Sequence, residues 1–414
     1  MNQTNFVANA AVLGALALTS APVYAAEPTY VTDVHFNHDN QINVQVSLTI
    51  PAHAIENDTI TLLLSGTFEV ESAQGSTLAD YSSQASPQIP PWNEHIFEFT
   101  PGYDTHTVQF SYSGELNPEH GHGNEATDSL IHLSIDSAWH PFFAGFATMM
   151  QGEVNLQLDE SWLVYSPGSM SRDGDVITLA MNSPQIDVAL FATQSDKVLE
   201  EQGFSVVYDE TNTELAAELL SAGSACLVSL NDQFGANAPL DSASLILLDR
   251  EGPSFARGNY ISASSKNIGS PMDGYQLVCH EIAHNWTAFG DAMSHDYWMP
   301  ESFAELVAAR EIKAEFGDDA YQEIKGVWHE LAEGMQFVWR EDVPQRASHQ
   351  VNYGLGPLKL LQLEERVGEE LFAEFVTRYM VSDIAQTSAL LDMLTALTDA
   401  ETGEWFQNQL AAEL

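Results

Sequence analysis

HEIAHNW, residues 280–286, sets two histidines four residues apart with a glutamate directly after the first. On an α-helix residues i and i+4 lie one above the other, so His280 and His284 present their imidazoles to the same side. Glu281 stands one step round. A metal ion held between the rings would then have a carboxylate beside it, placed to move a proton. Seven letters also describe an ordinary helix with two partly exposed histidines, and only the surrounding chain separates the two. Upstream, Ser270 and Pro271 suit the N-cap and first position of such a helix. Gly290 suits its stop.

A catalytic zinc takes a third protein ligand and keeps a fourth position open. The next helix is expected at YWMPESFAELVAARE, with Pro300 as its first residue and Glu301 in its first turn. Sixteen residues separate His284 from Glu301, enough for a helix end, a loop and an antiparallel return. Asp291 and Asp296 fall in that loop. Glu305 lies one turn beyond Glu301 on the same face, either as a support for the ligands or as a solvated helix residue. The expected centre is one Zn2+ on His280, His284 and Glu301, with Glu281 as the base.

The chain has 414 residues, with 59 Asp and Glu against 13 Lys and Arg and a formal net charge of -46. Such a charge repels phosphate backbones and anionic lipid, which argues against nucleic acid or a membrane surface as partners. The acids are spread along the chain, as on a surface adapted to a salty medium, where counterions screen self-repulsion. Residues 1–25 carry an apolar run from Val7 to Leu18 and then Val23-Tyr24-Ala25, the pattern of a signal peptide cleaved after Ala25, although no Lys or Arg precedes the run. Export to the periplasm or the medium is therefore expected. No uninterrupted apolar stretch of about eighteen residues follows, so no integral membrane segment is expected in the mature chain. Cys226 and Cys279 are the two cysteines. Apolar neighbours favour Cys279 as a buried, inert thiol, with a bridge to Cys226 left open.

Residues 26–185 alternate short β runs with turns: INVQVSLTI, DTITLLLSG, HTVQFSYSG, EVNLQLD and DVITLAM. Val44, Val46 and Leu48 share one face of a period-two strand and Asn43, Gln45 and Ser47 the other. An N-terminal antiparallel β-sandwich-like domain is expected there. Within it, NPEHGHGNE places His120 and His122 in a solvated loop, since glycine on both sides of His122 gives no fixed ligand geometry. Residues 186–414 change character: VALFAT, FSVVYD, LILLDR and NYISAS read as strands with a helix near residues 214–222, and from Ser270 onward the period is helical. The fold class is thus α+β, a β domain followed by a catalytic domain of mixed sheet and then mostly helix. A second metal-like group, His329, Glu330 and Glu333 in WHELAEGM, has no third ligand and reads as a solvated helix face.

HEIAHNW followed by WMPESFAELVAARE resembles the gluzincin zinc peptidases, and most closely the aminopeptidase N (M1) family with its HExxHxW and W-L-N-E-G-F-A motifs. Trp286, Trp298, Glu301, Phe303 and Ala304 match. NYGLGPLKLLQLEERVGEELFAEFVTRYM is similar to the family's Y-E-K-G segment and the helix and G-E-E-x-F turn that follow. Tyr353, Gly356, Gly368, Glu369, Glu370 and Phe372 fall on the matching positions. FSYSGEL and SAWHPFFAG resemble pieces of the family's N-terminal β domain. The resemblance implies a thermolysin-like catalytic domain, a bound zinc, and a Tyr353 hydroxyl that hydrogen-bonds the oxyanion of the tetrahedral intermediate.

The departures from the family are specific. Ser302 stands for its glycine and Pro300 for its asparagine, and the spacing to Glu301 is shorter. Where the family shows G-x-M-E-N, this chain has SFARGNYISASS, with Arg257, Gly258 and Asn259 in place of the glutamate that holds a substrate's free amine. These three are the candidate substrate-binding residues, and an arginine there repels an ammonium. The sequence runs only a short way past the expected catalytic helices, so no counterpart of the family's large C-terminal domain is expected. The expectation is an exported zinc-dependent metallopeptidase acting on peptides or proteins, with exo- against endopeptidase undecided. The alternative is a weak or inactive peptide-binding module that retains zinc.

Overall fold

A computed structural model of the chain describes residues 27–37, 39–87, 89–117, 121–288 and 292–414. The expected leader, His120, Gly290 and Asp291 lie outside them.

The period-two patterns build two facing sheets. Seven strands run in the order Ser169–Asp173, Val176–Gln185, Met150–Gln157, Thr29–Phe36, Gln41–Pro51, Thr105–Glu115 and Phe68–Gln74. Four more run in the order Phe142–Phe143, Thr59–Ser65, Trp92–Phe99 and Leu78–Ala85. Val44, Val46 and Leu48 point into the shared core while Asn43 and Gln45 stay exposed. The pairing is antiparallel with one exception: Thr29–Phe36 runs parallel to Met150–Gln157, because these strands are far apart in sequence and no hairpin constrains them. Trp139, in SAWHPFFAG, is buried in this core; its indole donates to Val188 O at 2.9 Å, and its carbonyl accepts from Tyr112 at 2.7 Å.

A small sheet, Leu163–Tyr165, Leu190–Thr193, Leu130–Leu133 and Glu125–Ala126, joins the two halves of the molecule. Ala189 and Phe191 pack there with Val207, Ile246 and Tyr260 of the next sheet. That sheet has five strands, ordered Val198–Glu201, Phe204–Val207, Ala243–Leu248, Tyr260–Ser264 and Phe255–Arg257, with parallel pairs inside and an antiparallel pair at each edge. Helix α1 (Thr213–Phe234) makes the crossover between Phe204–Val207 and Ala243–Leu248 and extends well past the turns expected from its sequence. Then follow α2 (Pro271–Ala283), α3 (Trp298–Phe316) and α4 (Asp318–Ala332), with α5 (Gly356–Val367), α6 (Glu369–Met380), α7 (Thr387–Leu397) and α8 (Ala400–Leu410) beyond.

Cys226 of α1 and Cys279 of α2 are joined in a disulfide, their Cα atoms 5.3 Å apart. The free-thiol expectation for Cys279 is thereby corrected. Burial among apolar neighbours holds for both cysteines, but the same packing brings them face to face on adjoining helices.

Candidate active site

Helix α2 starts as expected, with Ser270 Oγ accepting from Asp273 N at 3.2 Å and Pro271 in the first turn. It ends sooner than expected: Ala283 is its last residue and His284 is the C-cap. Asn285 N and Trp286 N bond back to Ile282 O and Ala283 O, tightening the last turn. Trp286 then anchors the exit, its indole donating to Ala238 O at 3.0 Å. His284 keeps helical dihedrals, so the i, i+4 relation to His280 survives the early stop.

Helix α3 begins at Trp298, two residues before Pro300, and almost every residue from Trp298 to Ile312 is buried. A helix buried all round must provide partners for its carboxylates. Glu311 accepts from Gln233 at 2.7 Å. Glu301 faces His280 and His284, and Glu305 faces His280 from the other side of its ring. The solvated alternative for Glu305 is excluded: it is buried and accepts from Gln276 at 2.6 Å and from the Trp328 indole at 2.8 Å.

His280, His284 and Glu301 offer three ligand atoms within 4.8 Å of one another. His280 Nε2 is 3.1 Å from His284 Nε2 and 3.4 Å from Glu301 Oε2, which is 3.8 Å from His284 Nε2. Ligands about 2.0–2.1 Å from a tetrahedral zinc stand ~3.3 Å from each other, so the donor set fits that ion. Electrostatics agree. Burial opposes charge on His280, yet Glu301 and Glu305 beside it outweigh burial and raise its pKa to about 10. Burial lowers His284 to about 4. Burial works against ionised Glu301, but the two histidines and the Tyr353 hydroxyl hold its pKa well below the usual carboxylate range. The cluster thus draws positive charge to its centre, as a proton on His280 or as a metal cation in its place.

Glu281 is buried on the wall of a cavity of about 550 Å³ that also exposes the cluster. Burial raises its pKa to about 7, His280 and Arg257 pulling down and Glu301 pushing up. Tyr353 lies on a wide π-type turn, Val351–Leu355, of a kind often found at functional sites. Its hydroxyl donates to Glu301 Oε2, and its ring stacks on His280 with centroids 5.5 Å apart. Burial, then Glu301, keeps that hydroxyl protonated and able to donate.

Arg257, on the edge strand, lines the same cavity and also a second one of about 450 Å³, which Gly258 lines as well. Asn259 lines neither; its carbonyl accepts from Ser244 N at 2.8 Å in the sheet. His329, Glu330 and Glu333 are exposed as expected, and His122 is exposed. Sequence reasoning missed Gln276 and Trp328, which hold Glu305, and Asp187, which holds Arg257. For Trp328 a signal existed: Ile324, Trp328 and Ala332 repeat every four residues and mark the buried face of α4. It also missed that Ser302 and Gly356 fit each other: a Cβ on Gly356 would sit 2.0 Å from Ser302 Oγ, which donates to Asn352 O at 2.7 Å.

No protein-family model matches the chain. It is 22% identical to Aminopeptidase 2 of Candida albicans over 225 residues, 47% of this chain and 24% of that protein. The chain therefore spans about a quarter of the length of that curated relative. An M1 zinc metallopeptidase of Deinococcus radiodurans superposes with a TM-score of 0.66 at 16% identity, covering 94% of each chain. A mutant of that protein has been solved with a Tyr-Ser-Ala substrate bound. Native yeast LTA4 hydrolase gives a TM-score of 0.69 at 14% identity, over 92% of this chain and 66% of that one. These likenesses establish the fold: a divergent M1-like architecture of β sheets followed by a helical C-terminal region.

Proposed function

We propose that the chain is an exported zinc-dependent peptidase. The observation that carries this reading is the convergence of His280, His284 and Glu301 on one wall of a cleft that also holds Glu281 and Tyr353. The tripeptide bound by the Deinococcus protein of the same fold supports a peptide substrate. The disulfide supports an oxidising compartment, as the leader-like residues 1–25 do.

His280, His284 and Glu301 would hold one zinc ion. Bound there, zinc supplies Lewis acidity toward a carbonyl oxygen and an acidified water. Glu281 takes the proton from the attacking water and delivers it to the leaving amine, a role suited to a carboxylate that titrates near neutral pH. Tyr353, its hydroxyl turned from Glu301 Oε2, donates a hydrogen bond to the oxygen on which negative charge develops. Among the described residues no hydrogen bond ties up the Glu281 carboxylate, which leaves it available for this exchange.

A panel of blocked and free-amine peptides, assayed with and without a chelator, tests the reading. Cleavage that the chelator stops and that Glu281→Gln abolishes while keeping its zinc is the expected result. Cleavage of blocked peptides marks an endopeptidase, and of free-amine peptides alone an aminopeptidase. Binding without cleavage would leave a peptide-binding module and overturn the proposal.

A further inference from the structure

Cations are scarce in this chain, 13 against 59 acids, yet Arg257 and Arg346 both line the cavity beside the metal-ligand cluster. Arg257 is fixed in place. Its Nε donates to Asp187 at 2.5 Å, its Nη1 donates to Ala256 O at 2.9 Å, and the Phe255 ring lies 5.0 Å from its guanidinium carbon. Asp187 is itself committed: its side chain is 3% exposed, and its second oxygen accepts from Ile135 N at 2.8 Å. Both its oxygens are engaged and its side chain is buried, so it does not present a carboxylate to a substrate ammonium. Nη2 of Arg257 has no acceptor among the described residues, and the side chain keeps 19% exposure. That exposure lies where the two cavities meet, since Arg257, Tyr297 and His284 line both. Arg346 adds a second positive charge at the mouth, its guanidinium 4.6 Å from the Tyr297 ring.

A guanidinium already immobilised, with an unused edge on a partly dry wall, binds a carboxylate strongly and with little further loss of side-chain freedom. Asp136 is the acid on that wall besides Glu281 and Glu301, and its Oδ2 accepts from Ser134 Oγ at 3.4 Å.

Resting on the peptidase reading, we propose that Arg257 makes the cleft selective for substrates that carry a carboxylate near the scissile bond. The carboxylate belongs to an aspartate or glutamate side chain or to a free C-terminus.

The test uses the zinc-loaded full chain and three matched sets of N-acetylated peptides. One set has an acidic residue and a C-terminal amide, one is neutral with a free C-terminus, and one is neutral and amidated. The variants are Arg257→Lys, Arg257→Met, and Arg257→Met with Asp187→Asn, the last leaving no unpaired buried carboxylate; thermal melts confirm folding. A preference of about ten- to a hundredfold in kcat/KM for one carboxylate set, expressed in KM, is expected. Whichever set shows it identifies the source. The preference should shrink toward unity in the double variant and survive in part in Arg257→Lys. Equal rates for all sets in the wild type, or a preference that persists in the double variant, overturn the proposal. If no peptide is cleaved, calorimetry with the same peptides decides. Carboxylate-dependent binding lost in the double variant upholds Arg257 and removes the peptidase reading, and its absence overturns Arg257 too.

Discussion

Glu305 Oε2 lies 3.4 Å from His280 Nδ1, on the ring edge opposite the nitrogen that faces Glu301. A carboxylate behind a ligating histidine fixes the ring's orientation and tautomer and raises its basicity. Gln276 and Trp328 hold Glu305 in turn, so the chain from α4 through α3 to α2 sets the direction of the His280 ring. Glu305→Leu is therefore expected to weaken zinc binding about ten- to a hundredfold, measured by competition with a chromogenic chelator. Glu305→Gln should lose less, since its one amide oxygen can face either the His280 ring or the Trp328 indole while keeping the volume of the side chain. Unchanged affinity in both variants would remove Glu305 from the centre.

Zinc uptake should release protons. Burial and its carboxylate neighbours together leave His280 with a pKa of about 10, so at pH 8 the free cluster holds a proton on that ring. The metal needs the neutral imidazole, and His284, at about 4, has none to lose. Calorimetric titration with zinc at pH 8 in buffers of different ionisation enthalpy should report about one proton released per ion from the ligand set. Release that vanishes in the wild type yet leaves affinity intact would contradict the charge state assigned to His280.

Much of this site was legible in the sequence because helical spacing is a local property. His280 and His284 share a face by periodicity, and Ser270-Pro271 announces the start of α2. The strands of period two were legible for the same reason: Val44, Val46 and Leu48 point inward wherever the sheet lies. Long-range partners were not. Nothing near residue 257 indicates that Asp187, seventy positions earlier, will take its Nε, nor anything near residue 305 that Trp328 will reach back to it. The Cys226–Cys279 bridge belongs with these, since it depends on how α1 and α2 pack. Gly290 suits a helix stop, yet α2 closes earlier, through the hydrogen bonds of Asn285 N and Trp286 N to Ile282 O and Ala283 O.

Ser302 and Gly356 form a matched pair. In open space Gly356→Ala would favour the helix by up to about 1 kcal/mol, but here the added carbon would meet Ser302 Oγ at 2.0 Å and Val351 O at 3.1 Å. The serine would have to turn away and give up its bond to Asn352 O, beside Tyr353. Gly356→Ala is expected to cost about 1–3 kcal/mol in chemical denaturation and to lower activity by displacing the Tyr353 turn. Ser302→Gly in the same chain should recover most of the loss. A double variant no more stable than Gly356→Ala alone would show that the serine is not the obstacle.

Acid should destabilise the β domain through its buried histidines. Burial lowers His140 to about 3; burial, then the nearby Arg250, lowers His132 to about 3; and burial lowers His95 to about 4. Each is neutral when folded, and each binds a proton in the unfolded chain below its ordinary value of about 6.5. The unfolded state thus binds more protons as pH falls, so stability is full above about 6.5 and declines down to the folded values, by about 1.4 kcal/mol per histidine per pH unit. Protonating surface carboxylates works the other way at the low end, by relieving the repulsion of a chain at -46. A single substitution separates the two effects. His140→Gln can keep a hydrogen bond to Thr32 Oγ1, which lies 2.9 Å from His140 Nε2, and does not titrate. Between pH 7 and pH 5 its melting temperature should fall less steeply than that of the wild type, and parallel slopes would assign the acid sensitivity to other groups.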